Sequence, residues 1–192
     1  MCTVSALPRK ELYESWQVAQ RVTRWHGHAW RAAPGRLVEL CAGHGLTALI
    51  LLLRHPKLYA VSVELTPPKS ADKLRAAMIA RWPDLAARLT TMAGDLARAP
   101  LAAGDVALGV HACGALSDVI IDRAIAARAH VALLPCCQEI APAAFLHGWL
   151  AGPLAIDTLR ATRLHNAGYA VTTQLIDPEI TPQNRVLLAC CE

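Results

Sequence analysis

The stretch Val-Glu-Leu-Cys-Ala-Gly-His-Gly, residues 38–45, decides the fold of this chain. It closes a short apolar run over residues 36–41, which Gly43 and Gly45 then break. Residues 46–54 form a second apolar run, long enough for a helix of about two and a half turns. Glycines between a strand and a helix let the chain turn tightly and let a ligand approach the backbone, although a plain turn is the other interpretation. The stretch therefore predicts a strand, a glycine turn and a helix.

The alternation of strand and helix continues along the chain. Further strands are predicted over residues 58–63, 89–93, 105–111, 130–135, 169–176 and 185–190. Further helices are predicted over residues 69–82, 117–128, 142–150 and 154–166. Such alternation is typical of a mostly parallel sheet with helices on both faces, whereas the last two strands leave no room for a helix between them. We therefore expect an α/β fold, with a doubly wound, mostly parallel seven-stranded sheet and an antiparallel C-terminal strand pair.

Composition indicates a globular protein, since 54% of the 192 residues are hydrophobic and 18% are charged. The longest apolar run, residues 46–53, is far shorter than the roughly 20 residues that span a bilayer, and the first ten residues lack the apolar core of a secretory signal. The seven cysteines include two adjacent pairs and no metal-binding CxxC spacing. We therefore expect reduced thiols, a cytoplasmic location, no membrane association and no metal.

The N-terminal segment is basic and amphipathic. Apolar residues recur at helical spacing between residues 8 and 30, which predicts a helix within residues 1–33, followed by a core domain over residues 34–192. Residues 1–60 contain eight basic and three acidic residues, a net charge of +5, which leaves −1 of the overall +4 for the other 132 residues. A basic N-terminal face suits a polyanionic partner such as RNA, although a solvated helix explains the charge equally well.

Two acidic residues stand at the ends of the strands that follow the glycine turn. In a doubly wound sheet, ligands bind at the carboxyl ends of the strands. Glu64 ends the second strand, where a carboxylate can accept hydrogen bonds from both hydroxyls of an adenosine ribose, and Asp95 follows the third, where it can accept from an adenine amine. Either carboxylate alone has a second interpretation as a helix cap or a solvated turn residue. Together with Gly43 and Gly45, they predict an adenosine-containing ligand.

At this point the chain resembles a class I, Rossmann-like S-adenosylmethionine-dependent methyltransferase over residues 34–191. The family's first loop reads acidic-x-Gly-x-Gly-x-Gly, and here Glu39 fills the acidic place while Cys41 replaces the first glycine. The substitution is tolerable if Cys41 keeps a negative φ. An NAD-binding protein would prefer glycine where Ala48 stands, but it tolerates alanine; the antiparallel closing pair favours the methyltransferase. The resemblance implies S-adenosylmethionine as cofactor, bound by Glu39, Cys41, Ala42, Gly43, Gly45, Glu64, Asp95 and His111.

A more specific resemblance lies at the fourth and fifth strands. Residues 111–118, His-Ala-Cys-Gly-Ala-Leu-Ser-Asp, precede Leu-Pro-Cys-Cys-Gln at residues 134–138. This resembles a branch with His-x-Cys-Gly-x-x-Ser/Thr-Asp and a Cys-Cys pair, which includes tRNA 2'-O-ribose methyltransferases that act on the acceptor stem. Gln138 stands where those tRNA enzymes commonly have histidine, and their zinc-binding segments are missing. An RNA acceptor, a small-molecule acceptor and, because of Cys41, a non-catalytic scaffold are therefore the three functional hypotheses.

The branch motif implies three catalytic candidates, His111, Cys113 and Asp118. His111 and Cys113 leave the fourth strand beside the methyl group, where His111 can take a proton from a hydroxyl or amine. The alternative for His111 is a buried histidine that orders its loop. Asp118 either caps the following helix, which its place near a helix start favours, or holds His111. Cys136 and Cys137 leave the fifth strand on opposite sides, so at most one faces the site.

Overall fold

The computed structural model describes residues 7–135 and 137–191. Seven strands lie in this part of the chain: β1 Gly35–Leu40, β2 Leu58–Glu64, β3 Leu89–Ala93, β4 Val106–Val110, β5 His130–Leu134, β6 Tyr169–Leu175 and β7 Arg185–Cys191. The helices are α1 Arg9–Ala32, α2 Leu46–Arg54, α3 Lys69–Arg81, α4 Leu85–Arg88, α5 Ala115–Ala127 and α6 Gly152–Asn166. Short 3₁₀ helices cover Leu96–Arg98 and Ala141–Leu146.

The strands form one sheet in the order β3-β2-β1-β4-β5-β7-β6. The first five strands are parallel, and β7 runs antiparallel to both β5 and β6. The predicted mostly parallel sheet with an antiparallel C-terminal pair is therefore confirmed. The strand order reverses between β1 and β4, and ligands of open α/β sheets bind at the carboxyl ends beside this switch point.

Helices bury an apolar core on both faces of the sheet. On one face, α1 and α2 contribute fully buried side chains to the core, among them Val18, Val22, Leu49, Leu51 and Leu52. On the other face, Ile120 and Ile121 of α5 pack with Leu164 of α6. Burial of each such side chain contributes about 1.5–3 kcal/mol, so the two layers hold the sheet and its strand ends in a fixed arrangement.

Helix α1 is part of this core. Its residues Val18, Ala19 and Val22 are completely buried, and Trp30 is 2% exposed. Helix α1 also contacts β6, where the Arg21 guanidinium donates two hydrogen bonds to the Leu175 carbonyl, at 2.8 and 3.1 Å. This packing fixes the first turns of α1 beside the carboxyl ends of the central strands.

Three predicted helices differ from the observed ones by two residues or more, among them α6, which begins at Gly152, two residues before the predicted start. Helix α5 begins at Ala115, two residues before the predicted start. The helix predicted over residues 142–150 is a short 3₁₀ helix, Ala141–Leu146, because Gly148 adopts a φ of +89° that an α-helix cannot continue through. None of the helices in the described ranges is both long and apolar enough to cross a membrane.

Candidate active site

The glycine turn and the end of β2 are bonded to each other. The backbone amide of Gly43 donates to Oε2 of Glu64 at 2.9 Å, and the amide of Thr66 donates to Oε1 at 3.3 Å. The amide of Ala42 donates to the Val63 carbonyl at 3.1 Å. The carboxylate expected to hold a ribose therefore lies directly against the turn expected to receive the rest of the ligand.

Asp95 lies at the same edge of the sheet. The amide of Gly94 donates to the Glu64 carbonyl at 3.0 Å, which joins the ends of β2 and β3. Asp95 accepts a hydrogen bond from the Ala97 amide at 2.8 Å and lines a cavity of about 340 Å³. Asp95 therefore adjoins Glu64 at this edge of the sheet, but the cavity that it lines is not the one lined by Gly43 and Glu64.

The condition of a negative φ at Cys41 is not met. Cys41 has a φ of +55°, in the left-handed region that glycine adopts freely and that costs other residues about 1–2 kcal/mol. The glycine that the family has at this position adopts the left-handed conformation freely. In this chain, the hydrogen bonds of the surrounding turn hold Cys41 in that conformation. Burial, with the nearby Glu64 and Cys113, raises the pKa of the Cys41 thiol to about 11, so it stays protonated at neutral pH.

Glu39 lies beneath the turn and is 2% exposed. Its carboxylate accepts a hydrogen bond from the Ser62 hydroxyl at 3.1 Å and is bonded by Thr47 and the Ala48 amide in the first turn of α2. Burial raises the pKa of Glu39 to about 7 against these hydrogen bonds. Glu39 thereby ties the start of α2 to β2, while it also lines the cavity that contains Cys41.

Two cavities meet at the glycine turn. One, of about 320 Å³, is lined by Gly43, Gly45 and Glu64. The other, of about 280 Å³, is lined by Cys41 and His111 together with Glu11 and Ser15 of α1, among others. An N-terminal helix thus closes the side of the site that faces His111, which the sequence analysis did not foresee.

His44 borders both cavities and links three elements. Its Nδ1 lies 2.9 Å from Oε1 of Glu11, and its Nε2 lies 2.8 Å from Oγ of Ser70 in α3. The His44 side chain is 12% exposed. His44 therefore joins the glycine turn to the helix before it and to the helix after β2. Sequence spacing gave no signal for this cluster, because its members come from three separate segments.

His111 is paired with a residue that the sequence analysis missed. Its Nε2 lies 3.1 Å from Oε2 of Glu14, whose side chain is 2% exposed. His111 also has a left-handed φ of +66° at the end of β4. A signal for Glu14 existed, since it stands four residues before Val18 and eight before Val22, on the stripe of α1 that faces the core.

Both interpretations of Asp118 are wrong. Its carboxylate accepts two hydrogen bonds from the Arg160 guanidinium of α6, at 3.1 and 2.7 Å. Gly114, not Asp118 or Ser117, occupies the N-cap of α5. Asp118 neither caps that helix nor holds His111, because the helix starts earlier and the side chain turns toward α6.

The cysteines near the site differ in their surroundings. Cys113 and Cys137 are exposed. The amide of Gly114 donates to the Cys137 carbonyl at 2.9 Å, which joins the loops after β4 and β5. Cys136 lies outside the described residues, so which member of the pair faces the site stays a prediction.

The methyltransferase-domain family model matches residues 10–141. The chain belongs to the methyltransferase-domain family. The match starts inside α1 and ends after the loop that follows β5, so it contains every strand end described above. The prediction of a methyltransferase is confirmed at the level of the family.

Two solved structures share the fold. Mitomycin 7-O-methyltransferase MmcR is 20% identical, with a TM-score of 0.61 over 94% of this chain and 54% of its own. Magnesium protoporphyrin IX methyltransferase from Synechocystis PCC 6803, which contains bound S-adenosylhomocysteine, is 11% identical, with a TM-score of 0.60 over 90% of this chain and 80% of its own. At these identities, the likeness concerns the fold alone.

A curated relative matches part of the chain. It is the glutathione S-transferase C-terminal domain-containing protein of Xenopus laevis, 29% identical over 114 residues. The match covers 55% of this chain and 17% of the relative. The match therefore concerns a small part of that longer protein.

The residues at the strand ends fit S-adenosylmethionine. Glu64 accepts two backbone hydrogen bonds, and a carboxylate offers about four lone-pair positions, so it can still accept from ribose hydroxyls. A Cβ atom built on Gly43 or Gly94 would meet nothing within 4 Å, so the backbone there is open to a ligand. These residues would hold the adenosine part, next to the cavity that contains His111.

Proposed function

We propose that this chain is an S-adenosylmethionine-dependent methyltransferase that methylates an oxygen or a nitrogen of RNA. The observation that carries the RNA acceptor is a group of exposed aromatic and cationic side chains on the helix that closes the site. We call this group the α1 platform; it consists of Arg9, Tyr13 and Trp16 of α1 and Arg54 of α2.

The α1 platform has the composition of a surface that binds unpaired nucleotides. Tyr13 and Trp16 are 46% and 44% exposed. The Arg9 guanidinium lies 5.9 Å from the centre of the Tyr13 ring, and that of Arg54 lies 5.8 Å from the centre of the Trp16 ring. Bases stack on exposed aromatic rings, while neighbouring arginines attract phosphates.

The α1 platform and the cavity that contains His111 lie on different faces of α1. Residues 9, 13 and 16 are spaced by four and three positions and share one face of the helix. Glu11 and Ser15 line the cavity and lie roughly 150° around the helix from the platform, at about 100° per residue. An acceptor that contacts both the cavity and the platform has to extend around α1, which a polymer such as RNA can do and a small molecule cannot.

Calorimetry tests whether the chain binds S-adenosylmethionine. We expect saturable binding of S-adenosylmethionine and none of NAD. Replacing Glu64 by Ala should weaken binding at least tenfold, because it removes the acceptor of the Gly43 amide and of the ribose hydroxyls. Binding of NAD alone, or of neither compound, would reject the methyltransferase and favour a dinucleotide enzyme or a scaffold.

Transfer of a radiolabelled methyl group into total RNA tests whether RNA is the acceptor. We expect Trp16→Ala to lower transfer roughly tenfold, since stacking of one base contributes about 1–3 kcal/mol. Trp82→Ala is the matched control. Trp82 is also exposed and lies beside an arginine, Arg81, but it stands at the C-terminal end of α3 and not in the α1 platform. Label in small molecules or protein instead of RNA would refute the RNA acceptor, as would equal effects of the two variants.

A further inference from the structure

Glu14 is a buried carboxylate with few partners. It is 1% exposed, and its Oε1 has no hydrogen-bond partner within the described part of the chain. The nearest cation to Oε1 is Nζ of Lys10 at 3.6 Å, and the Lys10 side chain is 59% exposed. A buried charge costs several kcal/mol unless it is paired and fully hydrogen-bonded, so stability alone does not account for a glutamate at this position.

The other oxygen of Glu14 points to the site. Oε2 lies 3.1 Å from Nε2 of His111, whose side chain is 34% exposed and lines the cavity next to the glycine turn. No hydrogen-bond partner for Nδ1 of His111 occurs among residues 7–135 and 137–191, and a 34% exposed ring is accessible from the cavity. One ring nitrogen is thus next to a carboxylate, and the other is open to an acceptor.

We propose that Glu14 is a positioning residue that orients His111 as the general base of methyl transfer. The inference rests on the proposed function. A carboxylate can only accept a hydrogen bond, so its place next to Nε2 keeps the proton of the neutral ring on that nitrogen. Nδ1 then has a free lone pair, which is the state that a general base needs.

The proton and electron balance of the step is simple. S-adenosylmethionine supplies an electrophilic methyl group on a sulfonium. The lone pair of the acceptor oxygen or nitrogen forms the new bond to the methyl carbon, and the pair of the broken carbon–sulfur bond stays on sulfur. Nδ1 of His111 takes the acceptor's proton, Glu14 stabilises the imidazolium, and solvent later receives the proton.

The test compares Glu14→Gln with Lys10→Met. Glutamine keeps the volume of Glu14 but removes its charge, and its amide can donate as well as accept. We expect Glu14→Gln to lower kcat about 100-fold, within the range that general-base catalysis supplies, with KM and the cofactor affinity within threefold of wild type. Lys10→Met removes the other charged neighbour of Glu14 and should keep kcat within threefold. Because Glu14 acts through His111, Glu14→Gln should lower kcat no further in a protein that already carries His111→Gln.

A readout independent of activity is the ¹⁵N spectrum of the His111 ring. We expect a proton on Nε2 in the wild-type protein and a mixture of tautomers in Glu14→Gln. If the wild-type protein transferred no methyl group, the proposed function would be rejected. The tautomer measurement would still show whether Glu14 keeps the proton of the His111 ring on Nε2. Unchanged kcat in a folded Glu14→Gln protein, or a wild-type His111 with its proton on Nδ1, would overturn the positioning role.

Discussion

Loss of stability in mild acid should depend on His26. This histidine of α1 is 7% exposed, its ring lies 4.7 Å from that of His130 and 5.2 Å from that of Trp30, and its Nδ1 has no hydrogen-bond partner among the described residues. Burial, followed by the neighbouring His130 and His28, lowers its pKa from 6.5 to about 4.

The sign follows from the two pKa values. Between pH 6.5 and 4 the unfolded chain binds a proton at His26 that the folded chain does not bind, so acid favours the unfolded state. The contribution of His26 to the free energy of unfolding is fully present above pH 6.5 and decreases as the pH falls. One pKa unit corresponds to about 1.4 kcal/mol, so His26 alone accounts for a loss of about 2 kcal/mol by pH 5 and about 3 kcal/mol below pH 4.

The assay is urea unfolding at pH 7.5 and pH 5, followed by tryptophan fluorescence. His26→Phe cannot bind a proton, so the difference in free energy of unfolding between the two pH values should shrink by about 2 kcal/mol. Any packing cost of phenylalanine is the same at both pH values and cancels. His55, whose pKa burial also lowers, remains in both proteins and cancels as well. His147→Gln, at an exposed histidine, is the control. An equal pH difference in wild type and His26→Phe would refute the reasoning.

Three further predictions concern packing, the Asp118 correction and the thiols. Gly109→Val should lower the free energy of unfolding by about 1–3 kcal/mol in urea titrations, because a Cβ there would lie 2.7 Å from a leucine Cδ atom of β5; an unchanged midpoint would contradict this. Asp118→Asn should lower the free energy of unfolding by roughly 1–2 kcal/mol, since Arg160 is 3% exposed and loses one of its two carboxylate partners, Asp118 and Asp157, yet kcat should stay within threefold; a large loss of kcat would favour a catalytic role for Asp118. In the folded protein at pH 8, iodoacetamide should label the exposed Cys137 much faster than Cys41, whose pKa is raised to about 11; peptide mass mapping after a short pulse decides this.

The sequence predicted the parts of the fold that depend on short-range patterns. Strand and helix periodicity, together with the glycine turn, located each strand within two residues of its observed bounds. The location of Gly43, Glu64 and Asp95 at one edge of the sheet followed from topology alone, because parallel strands place their carboxyl ends there. These features need no knowledge of how distant segments pack.

The residues that were missed depend on contacts between distant segments. Glu14 meets His111 only because α1 packs across the switch point, and Asp118 meets Arg160, 42 positions away, only because α6 packs beside α5. Nothing in the local pattern around Asp118 distinguishes a helix cap from a partner of a distant arginine. The negative φ that would suit Cys41 is absent for a related reason, since bonds to β2 and within the turn overcome the local preference of this residue.

Backbone strain coincides with the proposed acceptor cavity. Among residues 7–135 and 137–191, three residues other than glycine have a positive φ: Cys41, His111 and Arg128. Arg128 is the C-cap of α5, where a left-handed residue commonly ends a helix. The positive φ of Cys41 and His111 is not explained by a helix end. These two residues follow β1 and β4, the neighbouring strands at the switch point, and they line the same cavity. Strained residues persist where the surrounding structure fixes them, and they cluster at active sites. Because α1 supplies both the Glu14 contact to His111 and part of the wall of that cavity, this helix contributes to the proposed catalytic site as well as to the core.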